Sequence, residues 1–177
     1  MDLREINVSE EVLYEGSFLK LLKQKVKLPN GNIADRDIVR HPGGVAILAF
    51  TEEKKILLVE QFRKPFDKNF LEIPAGKIDL NEEHLISALR ELEEETGYTS
   101  NSIVYLGKVA VSPGFCDEYV HLYKATNLEK RNLAHPDEDE FLNIKEVTIE
   151  ELKKLILDGV ITDAKTVAAM FFWQNSN

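Results

Sequence analysis

The sequence predicts an α/β or α+β sandwich in which mixed strands are followed by interleaved helices. Three observations predict it. Short aliphatic and β-branched stretches recur along the chain, a segment of helical period follows Asp79, and two more helical segments come near the end. Because strands and helices do not alternate regularly, a plain βαβ array is not expected.

The first forty residues predict a small N-terminal antiparallel β hairpin. Lys20 to Leu28 and Asn32 to Arg40 flank Pro29-Asn30-Gly31, which supplies the fixed φ and the positive φ of a tight reversal. His41-Pro42-Gly43-Gly44 then interrupts the pattern, because proline and paired glycines end strands and helices alike. The domains expected from this boundary are residues 1–42 and residues 43–177.

The next segments predict further strands. Val45 to Thr51 and Lys55 to Gln61 are aliphatic and β-branched, and we expect them to pair across the polar turn Glu52-Glu53-Lys54. The remaining predicted strands are Phe70 to Pro74, Ser102 to Val111, Glu118 to Thr126 and Phe141 to Val147. A polar loop is predicted from Asn127 to Glu140.

Three helices are predicted. In the first, Leu85, Ala88, Leu89, Leu92 and Thr96 recur at spacings of three and four, and Gly97 offers a C-terminal stop. Asp79 and Glu82 have the spacing of a capping box before it. The other two helices are expected from Thr148 to about Asp158 and from Asp163 to Trp173.

The composition excludes several classes of function. The chain has 177 residues, with 22 Lys and Arg against 31 Asp and Glu, and its formal charge is −9 at pH 7. A broad basic surface for nucleic acid is therefore not expected. Cys116 is the one cysteine, so neither an intrachain disulfide nor a zinc site with several thiolates can form. Since no signal peptide or long apolar run is recognisable, we expect a cytoplasmic protein without a membrane partner.

Three acidic residues of the first predicted helix, Glu91, Glu94 and Glu95, lie on one arc beside its apolar stripe. Like charges at these spacings destabilise a helix by about 0.2–0.5 kcal/mol per pair, and only Arg90 is a basic residue close in sequence. A magnesium or manganese ion would compensate this charge, because both prefer oxygen ligands. A solvated acidic face is the alternative that the helix alone leaves open.

The segment around these carboxylates carries a resemblance. It contains Gly76, Glu82, Arg90-Glu91-Leu92, Glu94-Glu95 and Gly97-Tyr98 at fixed spacing. This segment resembles the Nudix box in every specified position. The resemblance implies a Nudix-type α/β/α sandwich with a mixed sheet, and a pyrophosphohydrolase that uses Mg²⁺, with Mn²⁺ as a substitute. Gly76 is expected to allow a sharp turn and to let the Ala75 carbonyl approach the metal.

Three flanking segments resemble the ADP-ribose pyrophosphatase branch of that family. They are Gln61-Phe62-Arg63 before the box, Glu72-Ile73-Pro74-Ala75-Gly76 at its start, and Ser112-Pro113-Gly114-Phe115 after it. The resemblance implies that Arg63 contacts the phosphates of the substrate, and a guanidinium can form two hydrogen bonds to a phosphate. It also implies that the loop from Ser112 to Phe115 lies along the terminal ribose.

The resemblance implies the remaining roles residue by residue. The implied catalytic residues are Glu138, on an acidic loop similar to the one that supplies the base, and Arg90 and Glu94 of the box. The implied metal ligands are Ala75, Glu91, Glu95 and Glu140. The implied substrate-binding residues are Phe18, Arg36, Asp37, Arg63, Lys77, Ser112, Pro113, Gly114 and Glu118. Arg90 is expected to brace Glu82 or Glu91 through an ion pair.

Together these resemblances imply magnesium-dependent hydrolysis of ADP-ribose to AMP and ribose 5-phosphate. They also imply a homodimer in which the N-terminal strands cross to the partner and help to bind adenine. Two alternatives stay open. One is hydrolysis of another ADP-sugar or nucleoside diphosphate or triphosphate derivative, and the other is a non-catalytic nucleotide-sensing Nudix domain, which the intact acidic residues of the box disfavour.

Overall fold

The structure of the protein is a computed structural model that describes residues 1–131 and 141–176. The chain divides into two compact units. The first contains Met1–Gly43 and Ala110–Tyr119, and the second contains residues 44–109 and the chain from Val120 onward. The segment Ala110–Tyr119, which the division at residue 42 assigned to the second domain, thus belongs with the N-terminal strands.

The first unit is built on a three-stranded antiparallel sheet with the order β1-β2-β3. Its strands are β1 (Ile6–Glu15), β2 (Lys20–Lys27) and β3 (Ile33–Arg40). The predicted hairpin is confirmed, because Lys27 pairs with Ile33 at its closed end. Gly31 has a φ of +88°, and its amide donates to the Leu28 carbonyl at 2.8 Å.

Strand β1 is absent from the sequence prediction. Its ten residues are all exposed, and its interspersed charges hide the alternation by which a half-buried strand is identified. Among the described strands it pairs with β2 alone. Its outer edge therefore presents backbone groups to which another strand can add.

The second unit is built on two sheets, with the orders β7-β4-β9-β8 and β10-β5-β6. The strands are β4 (Gly44–Ala49), β5 (Ile56–Arg63), β6 (Lys68–Glu72), β7 (Ala75–Lys77), β8 (Tyr98–Ala110), β9 (Tyr119–Lys130) and β10 (Leu142–Val147). Strand β4 pairs parallel with β9 and antiparallel with β7, so a mixed sheet is present, as predicted.

Two strand predictions are corrected. The two segments contain β4 and β5, but these strands do not pair along their length. Next to the turn the segments are joined by the isolated bridge between Phe50 and Ile56 and by a hydrogen bond of 2.8 Å from the Thr51 amide to the Lys55 carbonyl. Strand β4 and the first half of β5 are fully buried, and a buried strand can take neighbours from distant parts of the chain on both sides. Strand β9 continues to Lys130, so the loop predicted from Asn127 is wrong up to that residue.

Three α-helices are described in the second unit, namely α1 (His84–Thr96), α2 (Ile149–Leu157) and α3 (Ala164–Asn175). Gly97 ends α1 in the left-handed conformation with a φ of +75°, as predicted. Thr148 and Glu151 form a capping box at the start of α2. Asp163 caps α3 by accepting a hydrogen bond from the Thr166 amide. No helix in the described part of the chain is long and apolar enough to span a bilayer.

The start of α1 differs from the prediction. The helix begins at His84, whereas Asp79 and Glu82 form a separate turn before it. In that turn the Glu82 amide donates to the Asp79 carbonyl at 3.0 Å, and the Asp79 amide donates to the Glu82 carboxylate at 3.3 Å. The hydrogen bond from side chain to backbone that a capping box requires is thus present, but it orients Glu82 rather than starting the helix.

Helices cover both faces of β4. Successive side chains of a strand point to opposite faces, and those of β4 enter two different core clusters. One cluster contains Val45, Ile47 and Ala49 with Ala88 and Leu92 of α1. The other contains Ala46 and Leu48 with Leu152 of α2 and Ala169 and Met170 of α3. The second unit is therefore the predicted α/β/α sandwich.

Candidate functional site

The C-terminal half of α1 carries the acidic residues of the box. Glu95 is 2% exposed, and the side chains of Glu91 and Glu94 are 12% and 33% exposed. The solvated acidic face that the sequence left open is therefore wrong. Leu92 of the same helix packs in the core, so the carboxylates beside it lie against other parts of the protein and are buried or half-buried.

Strand β7 receives two of these carboxylates. The Ala75 amide donates to Glu95 Oε2 at 2.9 Å. An ideal β-carbon built on Gly76 would lie 2.0–2.2 Å from the carboxyl group of Glu91. Gly76 itself lies within the strand and pairs with Val45, so the expected sharp turn is wrong. The missing side chain instead makes room for the Glu91 carboxylate.

Arg90 connects both ends of the box. Its Nε and Nη2 donate to the two Glu82 oxygens at 3.1 and 3.0 Å. Its Nη1 donates to Glu91 at 2.9 Å and to Glu94 at 2.8 Å, and Nη2 also donates to the Lys77 carbonyl at 3.0 Å. The ion pair expected with Glu82 or Glu91 is present with both.

These contacts correct the charge argument made from the sequence. Arg90 already offsets the repulsion between Glu91 and Glu94, so that repulsion alone does not require a metal ion. Hydrogen bonds from Arg90 lower the pKa of Glu82 to about 2, against an opposing effect of burial. The same hydrogen bonds raise the pKa of Arg90 above its ordinary value. Glu82 and Arg90 therefore form an ion pair at neutral pH, and the hydrogen bonds of Arg90 restrain the carboxylate side chains that it contacts.

The donor chemistry at β7 fits a hard divalent cation. Glu91 and Glu95 bring carboxylate oxygens to the same two-residue stretch of backbone, Ala75-Gly76, whose carbonyls are also oxygen donors. Such oxygen donors suit Mg²⁺ or Mn²⁺ rather than Zn²⁺. Within residues 1–131 and 141–176, no group of three or more His, Cys, Asp and Glu side chains is arranged to hold an ion by itself. An ion here would need further oxygens, which Mg²⁺ commonly takes from water and phosphate.

Arg63, the predicted phosphate ligand, lies at the end of β5 and is held by Glu72 at the end of β6. Its Nε and Nη2 donate to the two Glu72 oxygens, both at 2.9 Å. The Glu72 side chain is only 3% exposed. Lys165 of α3 also donates to Glu72, and it donates to Asp163 at 2.9 Å. No sequence motif marks Lys165, and the capping position of Asp163 is the one sequence signal near it.

A cavity in the first unit brings together five of the predicted substrate-binding residues. It has a volume of about 530 Å³ and is lined in part by β3 and by the segment from Ala110 to Tyr119. The predicted residues in its lining are Arg36, Asp37, Pro113, Gly114 and Glu118. Arg36 is fixed by Glu5, another lining residue, through hydrogen bonds of 3.0 and 2.5 Å.

The other predicted site residues have different surroundings. Phe18 packs edge-on against His41, with 5.5 Å between ring centroids. The Ser112 carbonyl accepts hydrogen bonds from the Phe115 and Cys116 amides and so forms a turn. Lys77 is exposed at the end of β7. Glu138 and Glu140 lie outside the described residues, and all of these assignments stay predictions.

The family of the protein follows from a comparison with known proteins. The family model of the NUDIX domain matches residues 40–170, which include the whole box. The protein therefore belongs to the Nudix family, as the box predicted. Hydrolases of this family generally use divalent metal ions.

Curated relatives match almost the full chain. The methanol dehydrogenase activator of Bacillus methanolicus is 47% identical over 171 residues, which cover 96% of this chain and 92% of that protein. The ADP-ribose pyrophosphatase of Bacillus subtilis (strain 168) is 46% identical over 176 residues, which cover 97% of this chain and 94% of that protein. The crystal structure of an ADP compounds hydrolase matches with a TM-score of 0.85 at 20% identity, covering 98% of this chain and 95% of that one. The last match confirms the fold.

Proposed function

We propose that this protein is a magnesium-dependent ADP-ribose pyrophosphatase that hydrolyses ADP-ribose to AMP and ribose 5-phosphate. The observation that carries the proposal is the convergence of Glu91 and Glu95 on the Ala75-Gly76 backbone, where Arg90 holds Glu91 and the Ala75 amide holds Glu95. The 46%-identical relative from Bacillus subtilis, which is named for this activity, supports the choice of substrate.

In the proposed reaction a water oxygen forms a bond to one phosphorus of the diphosphate while the bridging P–O bond breaks. Ala75, Glu91, Glu95 and Glu140 would hold the metal, which when bound supplies charge neutralisation of the phosphate oxygens. Arg63 binds the diphosphate, because its guanidinium is charged and already oriented by Glu72. Glu138 takes the proton of the attacking water.

Arg90 acts on the reaction through the carboxylates that it holds. Its Nη1 donates to Glu91 and Glu94 while Nε and Nη2 hold Glu82. Because rotation of any of these side chains breaks a charged hydrogen bond, the ligand oxygens are oriented before substrate arrives. We expect this preorganisation to be the main contribution of Arg90.

The proposal is tested by product analysis with a substrate panel. Purified protein is incubated with ADP-ribose, other ADP-sugars, NADH and nucleoside triphosphates, with Mg²⁺, with Mn²⁺ and with a chelator. We expect AMP and ribose 5-phosphate from ADP-ribose with Mg²⁺ and none with the chelator. Preferred cleavage of another panel member would replace ADP-ribose by that compound, and no cleavage of any member would overturn the proposal.

The assignment of the base is tested by paired variants. Glu138→Gln is expected to slow the chemical step while substrate binding is retained, since a general base contributes about 10²–10⁴-fold. Glu140→Gln is expected to raise the Mg²⁺ concentration needed for half-maximal rate. If Glu140→Gln alone slows the metal-saturated step, the two roles must be exchanged.

We also propose that the protein is a cytoplasmic homodimer that associates through its N-terminal strands. Strand β1 is exposed along its length and has a free outer edge among the described strands. Its exposed apolar side chains include Ile6, Val8, Val12 and Tyr14. Light scattering should give a dimer for the full chain, and an Ile6→Lys/Val8→Lys double variant should give a monomer. A monomeric wild-type protein would exclude this arrangement.

A second candidate function is favoured by the relative from Bacillus methanolicus, which is as similar to this chain as the pyrophosphatase is. In that case the protein would raise the rate of a methanol dehydrogenase. The test adds wild-type protein or its Glu95→Gln variant to purified methanol dehydrogenase and follows the reaction rate. Activation by the wild type alone would support this second function, and no effect would exclude it.

A further inference from the structure

Glu72 is a buried carboxylate with two cationic partners. The side chain is 3% exposed, and it accepts hydrogen bonds from Arg63 and from Lys165, whose side chain is 15% exposed. Asp163 accepts from Lys165 at 2.9 Å. Arg63, Glu72, Asp163 and Lys165 form the group that we call the Glu72 cluster, which contains two positive and two negative charges.

The partners of Glu72 keep it ionised. Burial acts to raise the pKa of Glu72, but the hydrogen bonds and charges of Arg63 and Lys165 outweigh burial, so the pKa lies below its ordinary value. Arg63 and Lys165 together balance the charges of Glu72 and Asp163, so the cluster as a whole is neutral. With Lys165 present, Glu72 shares its charge between two cations.

The cluster is linked to the box through short backbone connections. The Ile73 amide donates to Thr166 Oγ1 at 3.0 Å, and Thr166 Oγ1 donates to Asp163 at 2.6 Å. Two residues beyond Ile73, the Ala75 amide donates to Glu95. Hydrogen bonds to Glu72 raise the pKa of Arg63 against the effect of burial, and the charge of Glu95 adds to this rise. The Arg63 guanidinium is therefore within electrostatic reach of the proposed metal ligands.

We propose that Lys165 is a positioning residue for substrate binding: by neutralising part of the charge on Glu72, it leaves the oriented Arg63 guanidinium available to the diphosphate. The inference rests on the proposed function, because it takes Arg63 as the phosphate ligand. Glu72 fixes the direction of Arg63 through two parallel hydrogen bonds. Without Lys165 the cluster would carry a net charge of −1 beside a substrate that is itself anionic.

The charge argument predicts an effect on binding rather than on the chemical step. We expect Lys165→Met to raise the KM for ADP-ribose about tenfold, as one charge acting over a few ångströms at an effective dielectric constant near 20 or above can do. We expect kcat to stay within about twofold. Lys165→Arg keeps the charge and should stay within about threefold of the wild-type KM. Lys154→Met, which removes an exposed lysine of α2, is the matched control.

A purely structural role of Lys165 is separated by two further measurements. In the Asp163→Asn/Lys165→Met double variant the cluster is neutral again while both hydrogen bonds from Arg63 to Glu72 are kept, and Asn can still cap α3, so the KM should return to within about threefold of the wild-type value. The KM difference between Lys165→Met and wild type should also shrink in about 0.5 M salt, because screening acts on charge and not on packing. A double variant as impaired as the single one, or a salt-independent difference, would overturn the proposal. If Lys165→Met does not fold, the double variant and Lys165→Arg still decide it.

A binding measurement keeps this inference distinct from the proposed function. Inorganic pyrophosphate is titrated into wild type and variants by calorimetry in the presence of Mg²⁺. If wild type cleaves no ADP-ribose but Lys165→Met weakens pyrophosphate binding about tenfold, the substrate assignment fails and the role of Lys165 stands. If wild type cleaves ADP-ribose while Lys165→Met leaves both KM and pyrophosphate binding unchanged, the role of Lys165 is wrong.

Discussion

The carboxylate of Glu91 packs on the backbone of Gly76 so closely that a β-carbon at position 76 would lie 2.0 Å from Glu91 Cδ. One residue earlier, the Ala75 amide holds Glu95 at 2.9 Å. Two carboxylates from adjacent turns of α1 are thus placed by two adjacent residues of β7. Their separation is set by regular secondary structure rather than by loops, which suits a site whose ligands must be preorganised.

Gly76→Ala should therefore damage the site more than the fold. The added β-carbon must displace the Glu91 side chain, because real β-carbons do not approach other atoms at 2.0–2.2 Å. We expect the free energy of unfolding to fall by about 1–3 kcal/mol, as for other cases of overpacking. We expect kcat to fall at least about 100-fold through the displaced ligand. Urea unfolding and steady-state hydrolysis of ADP-ribose measure the two effects.

A double variant identifies the cause. In Gly76→Ala/Glu91→Asp the shorter acidic side chain withdraws from the new methyl group, so the stability should recover while the activity stays low. If Gly76→Ala alone keeps wild-type kcat, the close contact between Gly76 and Glu91 has no role in catalysis.

Glu95→Gln should remove turnover and leave the fold intact. The glutamine carbonyl can still accept the hydrogen bond of the Ala75 amide, so we expect the free energy of unfolding to change by less than about 1 kcal/mol. The lost carboxylate charge should lower kcat at least about 100-fold. Glu150→Gln, which changes an exposed acid of α2, is the matched control. Near-normal magnesium-dependent rates in Glu95→Gln would remove Glu95 from the ligand set.

Local patterns explain what the sequence could predict of the fold. The β2–β3 hairpin follows from Pro29-Asn30-Gly31, the end of α1 from Gly97, and the start of α2 from Thr148 and Glu151, since each depends on residues adjacent in sequence. The pairing of β4 and β5 could not be predicted in this way. Strand β4 lies between β7 and β9, and β5 lies between β10 and β6. These neighbours depend on how the whole sheets assemble, which adjacent residues in the sequence do not show.

In the candidate site too, features that depend on residues close in sequence could be predicted, and contacts between distant residues could not. Glu91, Glu94 and Glu95 follow from helical spacing, and Arg90 is their neighbour on the same helix. Lys165 could not be predicted, because it reaches Glu72 across 93 positions of sequence and no local motif marks it. The sequence predicts a turn at Gly76 and not its contact with Glu91, because spacing does not show which side chain packs against a glycine.

Arg63→Ala should affect substrate use more than stability. Lys165 still neutralises Glu72 in the variant, so we expect a loss of about 1–3 kcal/mol of unfolding free energy from the broken hydrogen bonds. The value of kcat/KM for ADP-ribose should fall about 100-fold, because a paired guanidinium–phosphate contact is lost. Arg63→Lys keeps the charge without the planar fork and should recover only part of this loss. An unchanged kcat/KM in Arg63→Ala would exclude the phosphate contact.

The pairing of Glu82 with Arg90 should be visible as a pH dependence of stability. Hydrogen bonds from Arg90 lower the pKa of Glu82 from 4.5 to about 2. A carboxyl group with a lowered pKa in the folded state stabilises the protein above its unfolded-state pKa, and this contribution is lost as the pH falls toward the folded-state value. Between pH 4.5 and pH 2, the free energy of unfolding should therefore fall more steeply in wild type than in Glu82→Gln.

Urea unfolding at a series of pH values measures this difference, and Arg90→Met identifies its source. Because the guanidinium causes the lowered pKa, Arg90→Met should lose the same part of the slope as Glu82→Gln. Combining both substitutions should then remove no further slope, since the two residues act through one contact. Equal slopes in wild type and Glu82→Gln would show that Arg90 does not hold Glu82 ionised, and the preorganised arrangement of the box would need another cause.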